Sequence, residues 1–299
     1  MTLPYATPEA FKQALETRIR RRALERRQDI NRLRQLLLFD RFLARVGRHF
    51  GERVVVKGGV VLELRLDRAR TTRDVDLRIT GDAGTLLEEL QATGRAEMGD
   101  DLTFEVIVAP ANAAIDGPGV IYEGRRFRAQ AELAGKVYGA PFGVDVAFGD
   151  PLFGTPDVID GPDFLAFVGL PATRVRVYPR ESHVAEKLHA YTLPRSSENS
   201  RVKDLPDLAL LGQTGSFRAE ELRIAIDRTF AFRGTHEVPK RVPAPPESWA
   251  TPYERMASID HLPWPDLQVV RAAVGAFLDP ILSDATGIWS PSNWRWENT

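Results

Sequence analysis

Residues 54–77 read VVVKGGVVLELRLDRARTTRDVDL, and no other stretch of the chain says as much about its structure. It begins with three valines, a β-branched run that favours a short buried strand, and the pair Gly58 and Gly59 ends that strand. The apolar residues after the glycines predict a short helix, so the glycines would lie at a helix N-terminus. The last four residues, DVDL, alternate as a strand does, which places the carboxylates of Asp74 and Asp76 on one face.

The chemistry of this stretch points to phosphate and metal. Glycines at the start of a helix leave backbone N–H groups, and the positive end of the helix dipole, open to a phosphate. The two carboxylates repel each other unless a cation lies between them, and Mg²⁺ favours oxygen ligands that it shares with substrate phosphates. A glycine pair or a D-x-D triplet alone occurs by chance in most chains of this size. Their order here predicts a nucleotidyl-transfer site.

The composition is that of an ordinary globular enzyme. With 299 residues, of which 43% are hydrophobic and 27% charged, the chain can bury a sizeable core in one large or two modest domains. The N-terminus lacks the pattern of a secretory signal, and no apolar run approaches the ~18 residues of a membrane helix. The absence of cysteine excludes disulfides, thiolate catalysis and sulfur-bound zinc. We expect a cytoplasmic monomer with no membrane partner.

The charge pattern leaves two interpretations open. A formal net charge of −1 argues against a uniformly basic coat, yet residues 18–34 hold eight arginines against two acids. On a helix these arginines would crowd the side opposite the apolar residues. This pattern is typical of a solvated amphipathic helix, which we favour slightly, and also of an RNA-binding surface.

Hydrophobic periodicity divides the chain into a strand-bearing first part and a helical second part. An N-terminal helical pair extends to about His49. Further helices are predicted over 82–93, 181–192, 202–211, 216–233 and 266–282, and strands over 103–109, 125–133 and 142–148. The stretch 149–171 is predicted to be a loop with a short helix at 162–168. Strands followed by helices indicate an α+β protein.

Two blocks of sequence resemble a known family. KGGVVLELRL with RTTRDVDL, at 57–77, is similar to the signature of the AbiEii/AbiGii toxin-type nucleotidyltransferases of the DNA polymerase β-like superfamily. HVAEKLHA at 183–190 and RVKDLPDL at 201–208 resemble that family's later motifs in the same order. The resemblance covers about residues 50 to 235, and within the family it is greatest to the mycobacterial MenT toxins.

This resemblance implies a bilobed α+β fold, in which a polymerase β-like core with a small mixed sheet is followed by a C-terminal helical domain. The expected division is N-terminal helices packing on the core at 1–50, the nucleotidyltransferase domain at 51–178 and the helical domain at 179–299. One departure concerns Val60, which stands where many relatives have Ser or Thr. The tail with Trp289, Trp294 and Trp296 has no counterpart, and these residues are predicted to pin the tail onto the domain, with base stacking as the alternative.

The resemblance also implies the site residues. The expected metal ligands are Asp74, Asp76 and Asp145, and the expected catalytic residues are Asp74, Asp76, Asp145, Lys187 and Asp207. The expected nucleotide-binding residues are Lys57, Gly58, Gly59, Lys187 and Arg233. For Asp145 the alternatives are a solvated strand residue or one paired with an arginine, and Arg233 would otherwise be a cation at a helix C-terminus. Asp204 is interpreted as a helix cap.

Lys187 stands on a predicted helix with His183 and Tyr191 one turn to either side, so three polar groups could meet a triphosphate. The lysine would neutralise the leaving pyrophosphate. The implied reaction moves NMP from a nucleoside triphosphate to the 3′ end of tRNA, with two Mg²⁺ ions, or Mn²⁺ in their place, and so blocks translation. The alternatives are nucleotidylation of a protein and a non-catalytic RNA-binding module.

Toxin families of this kind imply a cognate antitoxin from a neighbouring gene. Thr72 and Thr71 lie just before the D-x-D carboxylates, where a phosphate would add negative charge beside the metal and the triphosphate. We therefore consider phosphorylation of Thr72 by the antitoxin a hypothesis. A threonine that makes a local hydrogen bond at the start of a strand is the ordinary alternative.

Overall fold

The structure is a computed structural model that describes residues 5–66, 69–109, 124–149, 152–195 and 201–298. Its helices are α1 (Pro8–Arg26), α2 (Ile30–Phe50), α3 (Gly59–Arg65), α4 (Leu86–Arg95), α5 (Arg180–Thr192), α6 (Asp204–Gln213), α7 (Ala219–Arg233), α8 (Ala250–Asp260) and α9 (Leu267–Leu282). Its strands are β1 (Val54–Lys57), β2 (Asp74–Ile79), β3 (Leu102–Val108), β4 (Gly124–Leu133), β5 (Lys136–Val137), β6 (Phe142–Ala147), β7 (Asp157–Asp160), β8 (Arg174–Val177), β9 (Ile288–Ser290) and β10 (Arg295–Glu297).

A mixed sheet forms the centre of the first part. Within the described residues it has the order β3-β4-β6-β2-β1-β8-β7, and β5 pairs with β4. β2 runs parallel to β6 and antiparallel to β1, while β1 runs parallel to β8. The predicted α+β class with a mixed sheet is confirmed.

Alternation along the two central strands sends apolar and acidic side chains to opposite faces. Val75 and Leu77 of β2 and Val144 of β6 are fully buried, and they share one hydrophobic cluster with residues of α1 and α2. The carboxylates of the same strands therefore project from the other face. The two N-terminal helices thus cover one face of the sheet and leave the acidic face to other contacts.

The C-terminal helices build a second hydrophobic cluster. It joins residues of α5 to α9 and includes Leu62 of α3. The tail belongs to it, because the indole N–H groups of Trp289, Trp294 and Trp296 donate to backbone carbonyls at 2.8, 3.0 and 2.8 Å. The tryptophans therefore pin the β9–β10 hairpin. The domain boundaries at 50 and 178 remain predictions.

Several elements differ from their prediction. The stretch 149–171, expected to be a loop, contains β7, which pairs with the unpredicted strand β8. The short helix expected at 162–168 is only a 3-10 turn at Ala166–Val168, and α8 was not predicted. An edge strand such as β7 is stabilised by pairing with its neighbour more than by its own residue pattern, and that pattern alone therefore did not predict it. No helix among the described residues is long and apolar enough to cross a membrane.

Candidate active site

Three predicted metal ligands lie together on the acidic face of the sheet. In the register of the strands, Asp76 stands opposite Lys57 on β1 and opposite Asp145 on β6. Asp74 lies two residues earlier on β2, opposite Gly143. The D-x-D pair and the third carboxylate predicted from the family resemblance are thus neighbours on adjacent parallel strands. We call Asp74, Asp76 and Asp145 the carboxylate row.

The carboxylate row places like charges next to one another on two strands. Burial and then the nearby Asp145 raise the pKa of Asp76, although Lys57 and Lys187 act in the opposite direction. Oxygen donors with excess negative charge fit Mg²⁺ or Mn²⁺. Within the described part of the chain, however, no three His, Cys, Asp or Glu side chains converge closely enough to hold an ion. The three carboxylates nevertheless suit a divalent ion in the type of donor that they offer.

Asp145 makes an ion pair with an arginine of the neighbouring strand. Arg126 of β4 donates from Nε and from a terminal nitrogen to the two oxygens of Asp145, at 2.8 Å each. The alternative of a strand acid paired with an arginine is therefore present in the structure, beside the two other carboxylates. Arg126 is a residue that sequence reasoning missed, because its partner comes from strand pairing 19 residues away.

The glycines permit close approaches around these carboxylates. Gly58 has a φ of +72°, and a Cβ there would overlap the carboxylate of Asp76. A Cβ at Gly59 would come within 2.8 Å of the hydroxyl oxygen of Thr72. The glycine pair, predicted to bind phosphate, thus also has a packing reason to lack side chains.

A second group of charges joins α5, α6 and the segment before β2. The Lys187 ammonium lies 3.0 Å from an oxygen of Asp204 and 2.7 Å from an oxygen of Asp207. Arg70 binds both oxygens of Asp207, through Nε at 2.6 Å and a terminal nitrogen at 2.8 Å. Asp204 also pairs with Arg201. We call these five residues the ion cluster.

The two acids of the ion cluster are surrounded by its three cations. Burial alone would raise the pKa of Asp207, but Arg70 and Lys187 hold that pKa well below its usual range. Asp207 is fully buried. Its geometry is that of a group that positions Lys187. Asp204 accepts from Lys187 and Arg201, so its interpretation as a helix cap is wrong. Arg70 was missed because its partner is 137 residues away in sequence.

The two polar groups predicted to flank Lys187 differ in environment. Burial, and then the charge of Lys187, lower the pKa of His183 to about 3, so its ring is neutral at pH 7. Among the described residues neither of its ring nitrogens has a hydrogen-bond partner. The Tyr191 hydroxyl donates to the carbonyl of Pro243 at 2.9 Å.

The remaining predicted nucleotide contacts divide between two places. Lys57 lies beside Asp76, with its ammonium 6.0 Å from the ring centre of Tyr178. Arg233 is buried at the end of α7 and donates to both oxygens of Glu186 at 2.9 and 2.8 Å. Lys57 therefore lies next to the carboxylate row, whereas Arg233 makes an ion pair with Glu186 of α5.

The two threonines before β2 differ in exposure. Thr72 is buried, and its backbone N–H donates to Glu63 at 2.9 Å. Thr71 is exposed, and its hydroxyl donates to Asp260 of α8 at 2.7 Å. Of the two hydroxyls, that of Thr71 is the more accessible to a modifying enzyme.

The arginine-rich helices line a groove of about 2090 Å³ that reaches the residues just before the carboxylate row. Its basic lining residues are Lys12, Arg22, Arg26, Arg27, Arg32, Arg34, Arg65 and Arg73. Its acidic ones are Glu16, Asp29, Glu63, Asp160, Asp163 and Asp260. Several of the arginines are paired with these acids, for example Arg34 with Glu16. Many of these charges therefore meet opposite charges within the groove wall.

Comparison with known proteins decides the family. Residues 41–286 match the family described as "Nucleotidyl transferase AbiEii toxin, Type IV TA system". The chain belongs to the AbiEii nucleotidyltransferase toxin family. The resemblance found in the sequence motifs is confirmed, and with it a nucleotidyltransferase fold and membership of a toxin–antitoxin family. A comparison with curated proteins finds no match to this AbiEii-family chain.

Solved structures with a similar fold include another toxin. MenT4, a nucleotidyltransferase toxin of Mycobacterium tuberculosis, superposes with a TM-score of 0.60 at 18% identity, over 93% of this chain and 92% of that one. JHP933 from Helicobacter pylori gives a TM-score of 0.46 at 13% identity, over 84% and 91% of the two chains. At such identities the likeness to MenT4 concerns the fold.

Proposed function

We propose that this AbiEii-family chain is a toxin that transfers a nucleoside monophosphate from a nucleoside triphosphate to the 3′ end of tRNA, releasing pyrophosphate, as a cytoplasmic monomer. The observation that carries the proposal is the carboxylate row, in which three acids from two parallel strands share one face in register. Carboxylates from adjacent strands on one face supply the oxygen ligands that a metal-dependent phosphoryl-transfer site requires. The tRNA acceptor rests on family resemblance.

The metal would be held by the carboxylate row. Asp74, Asp76 and Asp145 would be the ligands of two Mg²⁺ ions, or Mn²⁺ in their place. When bound, such ions neutralise the triphosphate and lower the pKa of an attacking hydroxyl.

The chain's own cations would act on the phosphates. Lys187 is fixed by Asp204 and Asp207, so it can offer its charge to the leaving pyrophosphate with little reorganisation. The backbone at Gly58 and Gly59, beside Lys57, would orient the triphosphate. In this account Asp207 acts by positioning Lys187. Arg233 would also contact the nucleotide, after exchanging Glu186 for a phosphate.

Transfer of label tests the function. The purified protein is incubated with total RNA and Mg²⁺ and with each of the four nucleoside triphosphates, labelled in turn at the α-phosphate. We expect label in the tRNA band, and none from triphosphates labelled at the γ-phosphate, because the β- and γ-phosphates leave. Label in a protein band would support the alternative of protein nucleotidylation. Binding of RNA without any labelled product would favour the non-catalytic RNA-binding module.

A cognate antitoxin is part of the proposal. We propose that it phosphorylates the segment before β2, where added charge would disfavour the triphosphate. Thr72 is the candidate that its place before the D-x-D carboxylates indicates, and the exposed hydroxyl of Thr71 is the easier one to reach. Mass spectrometry after co-expression with the neighbouring gene tests this, and an unmodified peptide spanning both threonines would contradict it.

A further inference from the structure

Arg126 stands next to the carboxylate row on a strand that has no other assigned role. It lies on β4 directly opposite Asp145 of β6, and both of its hydrogen bonds to Asp145 are 2.8 Å long. Its side chain is 44% exposed, whereas that of Asp145 is 19% exposed. The pair therefore lies at the border between the sheet face and the solvent, where the arginine has room to move.

The guanidinium occupies the atoms that a metal ion would need. Its two donors engage both oxygens of Asp145, in the forked geometry that makes arginine–carboxylate pairs strong. Asp74 and Asp76 add to the negative potential around Arg126. A divalent cation on the same carboxylates would meet the guanidinium charge at close range, so the two cations compete.

We propose that Arg126 is a latch on the carboxylate row: it holds Asp145 in the metal-free protein and must release it before a divalent ion can use that carboxylate. This inference rests on the proposed function, since it takes Asp145 to be a metal ligand. Arg126 is a positioning residue in this account. The latch neutralises part of the like charge of the row while no metal is bound, and it weakens the affinity for metal.

Binding of Mn²⁺ to the full chain without nucleotide tests the latch. The signal of free Mn²⁺ in electron paramagnetic resonance disappears on binding, so it gives the dissociation constant directly. We expect Arg126→Gln to bind Mn²⁺ about fivefold more tightly than the wild type, which is the size expected for one partly exposed ion pair. Arg126→Lys, which keeps the charge and loses the fork, should gain about twofold.

Two further variants make the result decisive. Arg128→Gln removes an arginine two residues along the same strand, opposite Gly143, and should bind Mn²⁺ as the wild type does. Asp145→Asn should weaken Mn²⁺ binding about tenfold or more, as loss of a ligand requires. Circular dichroism melting confirms that each variant is folded.

The outcomes separate the latch from the function on which it rests. If Asp145→Asn weakens binding while Arg126→Gln leaves it unchanged or weaker, the latch is wrong and the metal site stands. If Asp145→Asn binds Mn²⁺ as the wild type does, the metal assignment of Asp145 fails and the latch fails with it. Equal tightening in Arg126→Gln and Arg128→Gln would also contradict the latch, because it would show a general effect of charge.

Discussion

The carboxylate row and the ion cluster both contain aspartates, but the pKa of an aspartate shifts in opposite directions in the two regions. In the row, burial and then the neighbouring carboxylate of Asp145 raise the pKa of Asp76. In the ion cluster, Asp207 lies between Arg70 and Lys187, and its pKa is held low. Both acids were predicted as site residues from their motifs. An added cation would therefore stabilise the carboxylate row, whereas the acids of the ion cluster already have cationic partners within the protein.

The two regions therefore have different roles in the protein. A complete, buried cluster fixes Lys187 at one geometry and joins α5 and α6 to the segment before β2. The carboxylates of the row are held by two paired strands of the sheet and can accept a cation from solution. Substitutions in the carboxylate row should therefore remove activity without loss of stability. Substitutions in the ion cluster should lower the free energy of unfolding.

The largest expected effect is on catalysis. Asp74→Ala should lower nucleotidyl transfer by about 1000-fold or more, since a lost metal ligand removes several kcal/mol of transition-state stabilisation. Transfer of label from α-labelled triphosphate measures it. Asp160→Ala, which removes an exposed acid of β7, is the matched control and should keep full activity. A folded Asp74→Ala protein with activity near that of the wild type would refute the site assignment.

The second effect is on stability. Asp207→Asn should lower the free energy of unfolding by about 3–5 kcal/mol, because it leaves Arg70 and Lys187 buried with too little negative charge. Urea denaturation measures the change, with Asp160→Asn as the control on an exposed acid. A loss below about 1 kcal/mol would mean that the ion cluster contributes no more to stability than an exposed ion pair does.

The third effect has the opposite sign. Asp76→Asn should raise the free energy of unfolding of the metal-free protein by about 1 kcal/mol, because it removes the cost of burying a charge and, after that, the repulsion by Asp145. The same urea measurement, in the presence of a chelator, detects it. A clear destabilisation by Asp76→Asn would remove the contrast between the two regions.

The smallest effect concerns pH. Because the folded pKa of Asp207 lies below the usual 3.8, its contribution to stability is fully present above that value and is lost as the pH falls through the folded pKa. The difference in unfolding free energy between wild type and Asp207→Asn should therefore be the same at pH 7 and pH 5. It should shrink below pH 3.8. A difference that already shrinks between pH 7 and pH 5 would show that Asp207 is not held in its charged form.

Local patterns in the sequence carried much of the fold and part of the site. The valine run, the glycine pair and the D-x-D alternation are short-range signals, and they correctly predict β1, α3 and β2. The strand that bears Asp145 also lies where it was predicted. The ion pairs of Arg70 and Arg126 could not be predicted, because tertiary contacts create them and no local period marks them.

The elements that escaped prediction share a physical reason. β7 and β8 are four-residue strands whose stability comes from pairing with each other and with β1. Asp204 illustrates the same limit for a single residue. Its position at the start of a helix indicated a cap, yet in the structure its carboxylate accepts a hydrogen bond from Lys187 of α5.

The most direct test of the contrast is the melting temperature of the wild type, Asp76→Asn and Asp207→Asn with and without excess Mg²⁺. A ligand that binds only the folded state raises the melting temperature. If the carboxylate row is the cation site and the ion cluster is complete without one, Mg²⁺ should stabilise the wild type and Asp207→Asn but not Asp76→Asn. An equal shift in Asp76→Asn and the wild type would contradict the account.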